Sequence, residues 1–171
     1  MNNTSKTSVH TLTMLALLVA MSIVFSRVLS ISTGFLRFNL GSLPVIFAAL
    51  LFGPGAGFAV GAVADLIGGV LAGYAINPLI TLGAGAIGLF AGLAWRFLPG
   101  HRLGLRLGCS VFAGHFAGSM ILNSLALRIF YGYAWSVLAA RIPNALVLCV
   151  AEAALLRILL ENRTLRTLVK R

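Results

Sequence analysis

The sequence predicts an all-α integral membrane protein built from six transmembrane helices. Three observations carry that prediction. Of the 171 residues 60% are hydrophobic and only 9% charged, the mean hydropathy is +1.02, and the apolar residues fall into stretches long enough for bilayer spans. A soluble domain carries about 25% charged residues, so an ordinary aqueous fold is excluded.

A helix needs about 20 mainly apolar residues to cross the hydrocarbon core. The first stretch, Thr11–Leu29, meets this, and its small residues Ala16 and Ala20 share a face with Leu12, Leu17, Ile23 and Val24. The second, Asn39–Leu51, is short and places Pro44 in its first turns, where a missing backbone donor does least harm. The turn Phe52-Gly53-Pro54-Gly55 separates it from the third, Ala56–Leu71, so these two are expected to form a tight hairpin. Asn77–Leu98, Leu105–Phe130 and Asn144–Leu160 complete the set. Gly57 and Gly61, Gly88 and Gly92, and Gly114 and Gly118 have the small-xxx-small spacing that lets helix backbones approach closely in lipid. No cleavable signal sequence is evident, because the first apolar segment is long and lacks a small-residue cleavage pattern. Residues 1–171 are read as a single transmembrane substrate-binding domain ending in a basic cytoplasmic tail, 162–171.

Six spans put both termini on one side, and the positive-inside rule chooses the side. With the N-terminus cytoplasmic, the inner set holds Lys6, Arg96, Arg102, Arg106 and the five cations from Arg157 to Arg171. The outer set is Arg27, Arg37, Arg128 and Arg141, in the first and fifth connections. The bias favours cytoplasmic termini. A net charge of +10 also fits a nucleic-acid binder, yet the basic residues form no stripe with interleaved aromatics, so no nucleic-acid partner is expected and lipid surrounds the bundle.

Cations near lipid cost at least a few kcal/mol and are tolerated chiefly at a wet cavity or the membrane interface. The four outer arginines offer planar charged forks suited to carboxylate. Asn39, Asn77 and Asn123 add neutral polar groups near the same face, and Phe35, Phe38, Tyr74, Phe130, Tyr131, Tyr133 and Trp135 add rings. That inventory suits a ligand with a flat ring and acidic groups, captured from outside the cell; for the aromatics an interfacial belt is the competing reading.

Catalysis is poorly supplied. Asp65, Glu152 and Glu161 are the chain's carboxylates. Asp65 lies inside a span and is expected to pair with an arginine, cap a broken helix or face the cavity. Glu152 precedes Arg157 by five residues, and an ion pair or a reach toward the cytoplasmic interface is expected for it. His115 and Ser119 are i,i+4 neighbours, but no orienting acid or oxyanion site accompanies them, so His115 is read as packed or cavity-lining. Cys109 and Cys149 lack CxxC spacing and read as buried thiols. Gly53-Pro54-Gly55-Ala56-Gly57 lacks the Lys-Ser/Thr of a nucleotide loop. Neither an enzyme activity nor a metal or cofactor is expected, and uphill transport would need an ion gradient or a borrowed ATPase.

Leu36-Arg37-Phe38-Asn39-Leu40-Gly41-Ser42-Leu43-Pro44, running into Leu51-Phe52-Gly53-Pro54 and then Gly61-Ala62-Val63-Ala64-Asp65-Leu66-Ile67-Gly68, resembles the substrate-binding S component of energy-coupling factor (ECF) vitamin transporters, the folate group in particular. Further pieces follow in order: Ala16 to Ala20 with Ser26-Arg27, then Pro78, Thr81, Gly88 and Gly92, then Leu122-Asn123-Ser124, Tyr131-Gly132 and Ala140-Arg141-Ile142-Pro143. The resemblance implies a six-helix membrane subunit with an outward-facing pocket for folate or a related anionic vitamin. Arg27, Arg37, Asp65, Asn123, Arg128 and Arg141 are its candidate binding residues. It also implies a coupling subunit and two ATPases as partners, with Ala16 and Ala20 docking on the coupling subunit. Two stretches depart from the folate pattern: Ala126 stands where a Trp is usual, and Pro78-Leu79-Ile80-Thr81 where Pro-Gly-Phe-Thr is usual. Other S components, for pantothenate or a thiamine precursor, and an ion-coupled carrier are the alternatives.

Overall fold

The computed structural model of the chain describes residues 9–33, 36–99 and 102–161, with the backbone alone at 31–33 and 36–37. Lys6, Phe35 and the tail 162–171 lie outside the described residues. Eight α-helices follow in order: α1 Val9–Arg27, α2 Ser42–Phe52, α3 Pro54–Leu71, α4 Pro78–Phe97, α5 Leu103–Gly114, α6 Ser124–Tyr131, α7 Trp135–Ala139 and α8 Arg141–Glu161. A π-helical stretch, His115–Asn123, joins α5 to α6 into one continuous span. The expected helical bundle is therefore present, with five segments long and apolar enough to cross a bilayer.

The second segment differs from the others. At 11 residues α2 extends about 16 Å, roughly half a hydrocarbon core. Its residues Leu43 to Ala49 are buried without interruption. A helix apolar on every face belongs inside the protein rather than against lipid, and α2 is the plug around which α1, α3 and α4 pack. Gly53 makes the turn into α3 with φ +97°, a left-handed conformation that glycine adopts without steric cost, and Pro54 then starts α3. The connection before α2 holds an antiparallel pair of strands, β1 (Ile31–Thr33) and β2 (Leu36–Phe38), in which Ser32 faces Arg37. Hydropathy gives no hint of that pair.

Glycines decide how the long helices meet. Gly57 and Gly88 bring the α3 and α4 backbones together so closely that a methyl group on Gly88 would collide with the Gly57 main chain, while one on Gly57 would collide with Ala49 of α2, and Gly61 sits likewise against the Ala84 main chain. Gly114 and Gly118 do the same for the fifth span, against the carbonyls of Ile87 and Gly83. These pairs pack within the chain. The apolar core collects around α2, with Leu18, Ile46, Val60, Ala91, Leu107, Val111 and Leu156 buried together toward the half of the bundle that holds Val9 and Glu161. Ala16 and Ala20 instead lie exposed on α1, on a face shared with Leu12, Leu17 and Met21.

Candidate binding cavity

Because α2 begins halfway through the bundle, the space above its N-terminus is left for something else. A cavity of about 600 Å³ fills it, within the range usual for small-molecule sites. Its walls come from the last turns of α1, the C-terminal half of α3, the first turns of α4, the π stretch and the first half of α8. All of these lie at the end opposite Val9 and Glu161, the ends of the described helices. The first connection contributes Asn39 and Gly41, held in place because the Asn39 side chain accepts from the Gly41 amide at 3.0 Å and Ser22 donates to the Gly41 carbonyl at 2.6 Å.

Four of the six candidate binding residues line this cavity: Arg27, Asp65, Asn123 and Arg141. Arg27 crosses α3 at Gly68, where a side chain would crowd its guanidinium, and sits 5.3 Å from the Tyr74 ring centre. At this separation Arg27 and Tyr74 form a cation–π contact. Asp65 accepts a 2.8 Å hydrogen bond from the Thr81 hydroxyl, so among the described residues its partner is a hydroxyl and not an arginine. Asn123 presses its side-chain oxygen against Gly83, and that oxygen is buried without a hydrogen-bond partner among the described residues. Arg141 reaches Ser124 at 3.5 Å. Arg128 stands apart: it donates to the Tyr133 carbonyl at 3.0 Å and lies over the Trp135 ring, outside the cavity wall. The side chain of Arg37 lies outside what the structure describes.

Of the proposed ring surfaces, Tyr74, Tyr131 and Tyr133 line the cavity, whereas Phe130 and Trp135 do not. The departures from the folate pattern also separate. Ile80 is part of the wall, but Ala126 is fully buried away from it.

Glu152 corrects the sequence reading. It does not pair with Arg157, which bonds Glu161 at 2.9 Å, and it does not reach for the interface. Residues four apart face each other on a helix, and residues five apart do not. The Glu152 side chain is completely buried; Oε1 accepts from Ser42 Oγ at 2.5 Å and Oε2 contacts His115 Nε2 at 2.8 Å. Three helical segments, α2, the π stretch and α8, thus meet at a polar cluster that forms the cavity floor. His115 turns to Glu152 and not to Ser119. The signal that could have found this pairing was a His and a Glu, each near the middle of an apolar span, since intramembrane ionisable groups seek one another.

The π stretch shapes the wall. In an α-helix every fourth residue advances about 40° around the axis, whereas the wider i→i+5 turn holds residues four apart closer to one line. His115, Ser119, Asn123 and Leu127 all face the cavity.

Comparison with known proteins places this architecture. The sequence model described as "ECF-type riboflavin transporter, S component" matches residues 6–163. The chain is 37% identical over 60 residues to the folate transporter FolT of Clostridium novyi (strain NT), a stretch that spans 35% of each protein. A crystal structure of FolT bound with folic acid superposes with a TM-score of 0.71 at 24% identity, over 85% of this chain and 89% of that one. The S component of a bacterial ECF transporter gives the same TM-score at 20% identity, over 94% and 97% of the two chains. At these identities the two structures establish the fold.

Proposed function

Because the chain belongs to the family of ECF-type riboflavin transporter S components, we propose that it captures folate or a closely related anionic vitamin in the cavity above α2. The carrying observation is the cavity itself, with Arg27 and Arg141 in its wall against the single carboxylate of Asp65. Among the described residues this leaves the upper cavity with excess positive charge, which selects a carboxylate-bearing ligand through charge-assisted hydrogen bonds. The partial match to a folate transporter supports the same choice. Riboflavin is the second reading, favoured by the family description; it has no carboxylate for the arginines. Arg128, at the same end, attracts the anion without lining the described cavity, and Arg37 in the first connection remains a further candidate contact.

In this reading both termini are cytoplasmic and the cavity opens outward. The exposed face of α1 bearing Ala16 and Ala20 docks on a membrane coupling subunit, which two ATPases drive. Titration of the purified chain with folic acid and with riboflavin, in the absence of ATP, tests the ligand choice. Tight binding of folic acid with weak or no binding of riboflavin is the expected result; the reverse order would overturn it.

A further inference from the structure

The cavity floor holds a cluster whose placement the vitamin reading does not explain. Glu152 is fully buried and the His115 side chain is 5% exposed. A net charge enclosed in a membrane bundle is costly, whereas a hydrogen-bonded pair of zero net charge is tolerated. Two arrangements of the pair carry no net charge: carboxylate with imidazolium, or carboxylic acid donating to Nε2. In both, the proton that remains on the ring sits on Nδ1. His115 belongs to the cavity wall, and among the described residues no hydrogen bond reaches its Nδ1.

Resting on the folate-like reading above, we propose that His115 is the specificity residue of the floor, donating Nδ1–H to a ring carbonyl of the bound heterocycle, with Glu152 and Ser42 as positioning residues behind it. The depth of the site assigns the ends of the ligand. Glu152 follows Arg141 by eleven residues within α8, which separates them by about 16 Å along the helix axis. Ligand carboxylates find the arginines at the mouth, whereas the net-neutral pair at the floor offers no excess charge to hold them. The heterocyclic ring is left to meet His115. A ring carbonyl has lone pairs for the Nδ1–H; an amino group in its place would set donor against donor.

Two measurements test this. The first is ¹⁵N NMR of the histidine-labelled, ligand-free chain, with the His115 signals assigned by their loss in His115→Phe. A protonated Nδ1 is expected; an unprotonated Nδ1 overturns the proposal whatever the ligand proves to be. The second is titration with folic acid and with its 4-amino analogue, in which the ring carbonyl is replaced. The wild-type chain should prefer folic acid by about tenfold or more, and His115→Phe should abolish the preference. Glu152→Ala should weaken folic acid binding and erode the preference, and Glu152→Gln should restore binding to within about threefold of wild type, because its amide can donate to Nε2 while accepting from Ser42. Equal binding of the two ligands by the wild-type chain, or a folded Glu152→Gln chain as impaired as His115→Phe, would contradict the assignment. Failure of folic acid to bind the wild-type chain at all would instead overturn the folate reading and its ring contact together, while the NMR result reports separately on the state of the pair.

Discussion

The two halves of the bundle are built on different principles. In the half that holds Val9 and Glu161, the helices are regular, α2 fills the centre, and contact is made by apolar side chains. Where the glycines of α3 and α4 meet, even a methyl group would collide. In the other half α2 is missing, the first connection forms a short strand pair, the fifth span widens into a π stretch, and the cavity walls mix polar with apolar side chains. The tight half fixes the frame, and the irregular half uses the space that frame leaves. Backbone irregularity inside a membrane is tolerated where protein or a wet cavity satisfies its polar groups, and here it coincides with the cavity.

If this division holds, the largest effect follows from disturbing the tight half. Gly88→Leu forces a side chain into the Gly57 backbone, and overpacking of this kind costs about 1–3 kcal/mol or more. Loss of monodisperse protein on gel filtration and a lowered melting temperature are expected. A variant as stable as wild type would mean that α3 and α4 pack less closely than described.

In the cavity half, Arg141→Ala should leave the fold intact and weaken folic acid binding by about ten- to a hundredfold, the value of a charge-assisted hydrogen bond lost. Isothermal titration checks it. Replacing both Ala16 and Ala20 with Trp tests a third surface, the lipid-facing side of α1: uptake with the coupling module should cease while ligand binding by the isolated chain stays unchanged. Loss of binding as well would place that face in the packing of the monomer. The smallest effect belongs to Arg128, which is tied to Tyr133 and Trp135 outside the cavity wall. Arg128→Ala should change affinity by less than about threefold, and a loss matching that of Arg141→Ala would show that the fifth connection folds over the ligand.

The tight half was largely legible in the sequence. Hydropathy marks the long spans, the small-residue spacing marks where they meet, and Phe52-Gly53-Pro54-Gly55 marks the turn that makes α2 short. The cavity half was legible only as an inventory. Arg27, Asp65, Asn123 and Arg141 could be picked out because polar groups in apolar stretches need a reason. Their neighbours could not. A three-residue strand carries too little pattern to stand out, and the apolar content of His115–Asn123 is the same whether the turn is α or π. Glu152 misled because Arg157 is near in sequence, although the helix turns the two apart and carries Glu152 to Ser42 and His115.

In the proposed function the chain captures its ligand and depends on partner subunits to move it. The direct measurement is accumulation of radiolabelled folic acid in proteoliposomes. The chain alone should bind the label without concentrating it, with or without a proton or sodium gradient; adding the coupling subunit, both ATPases and internal ATP should start accumulation. Concentrative uptake by the lone chain, driven by an ion gradient, would contradict the account.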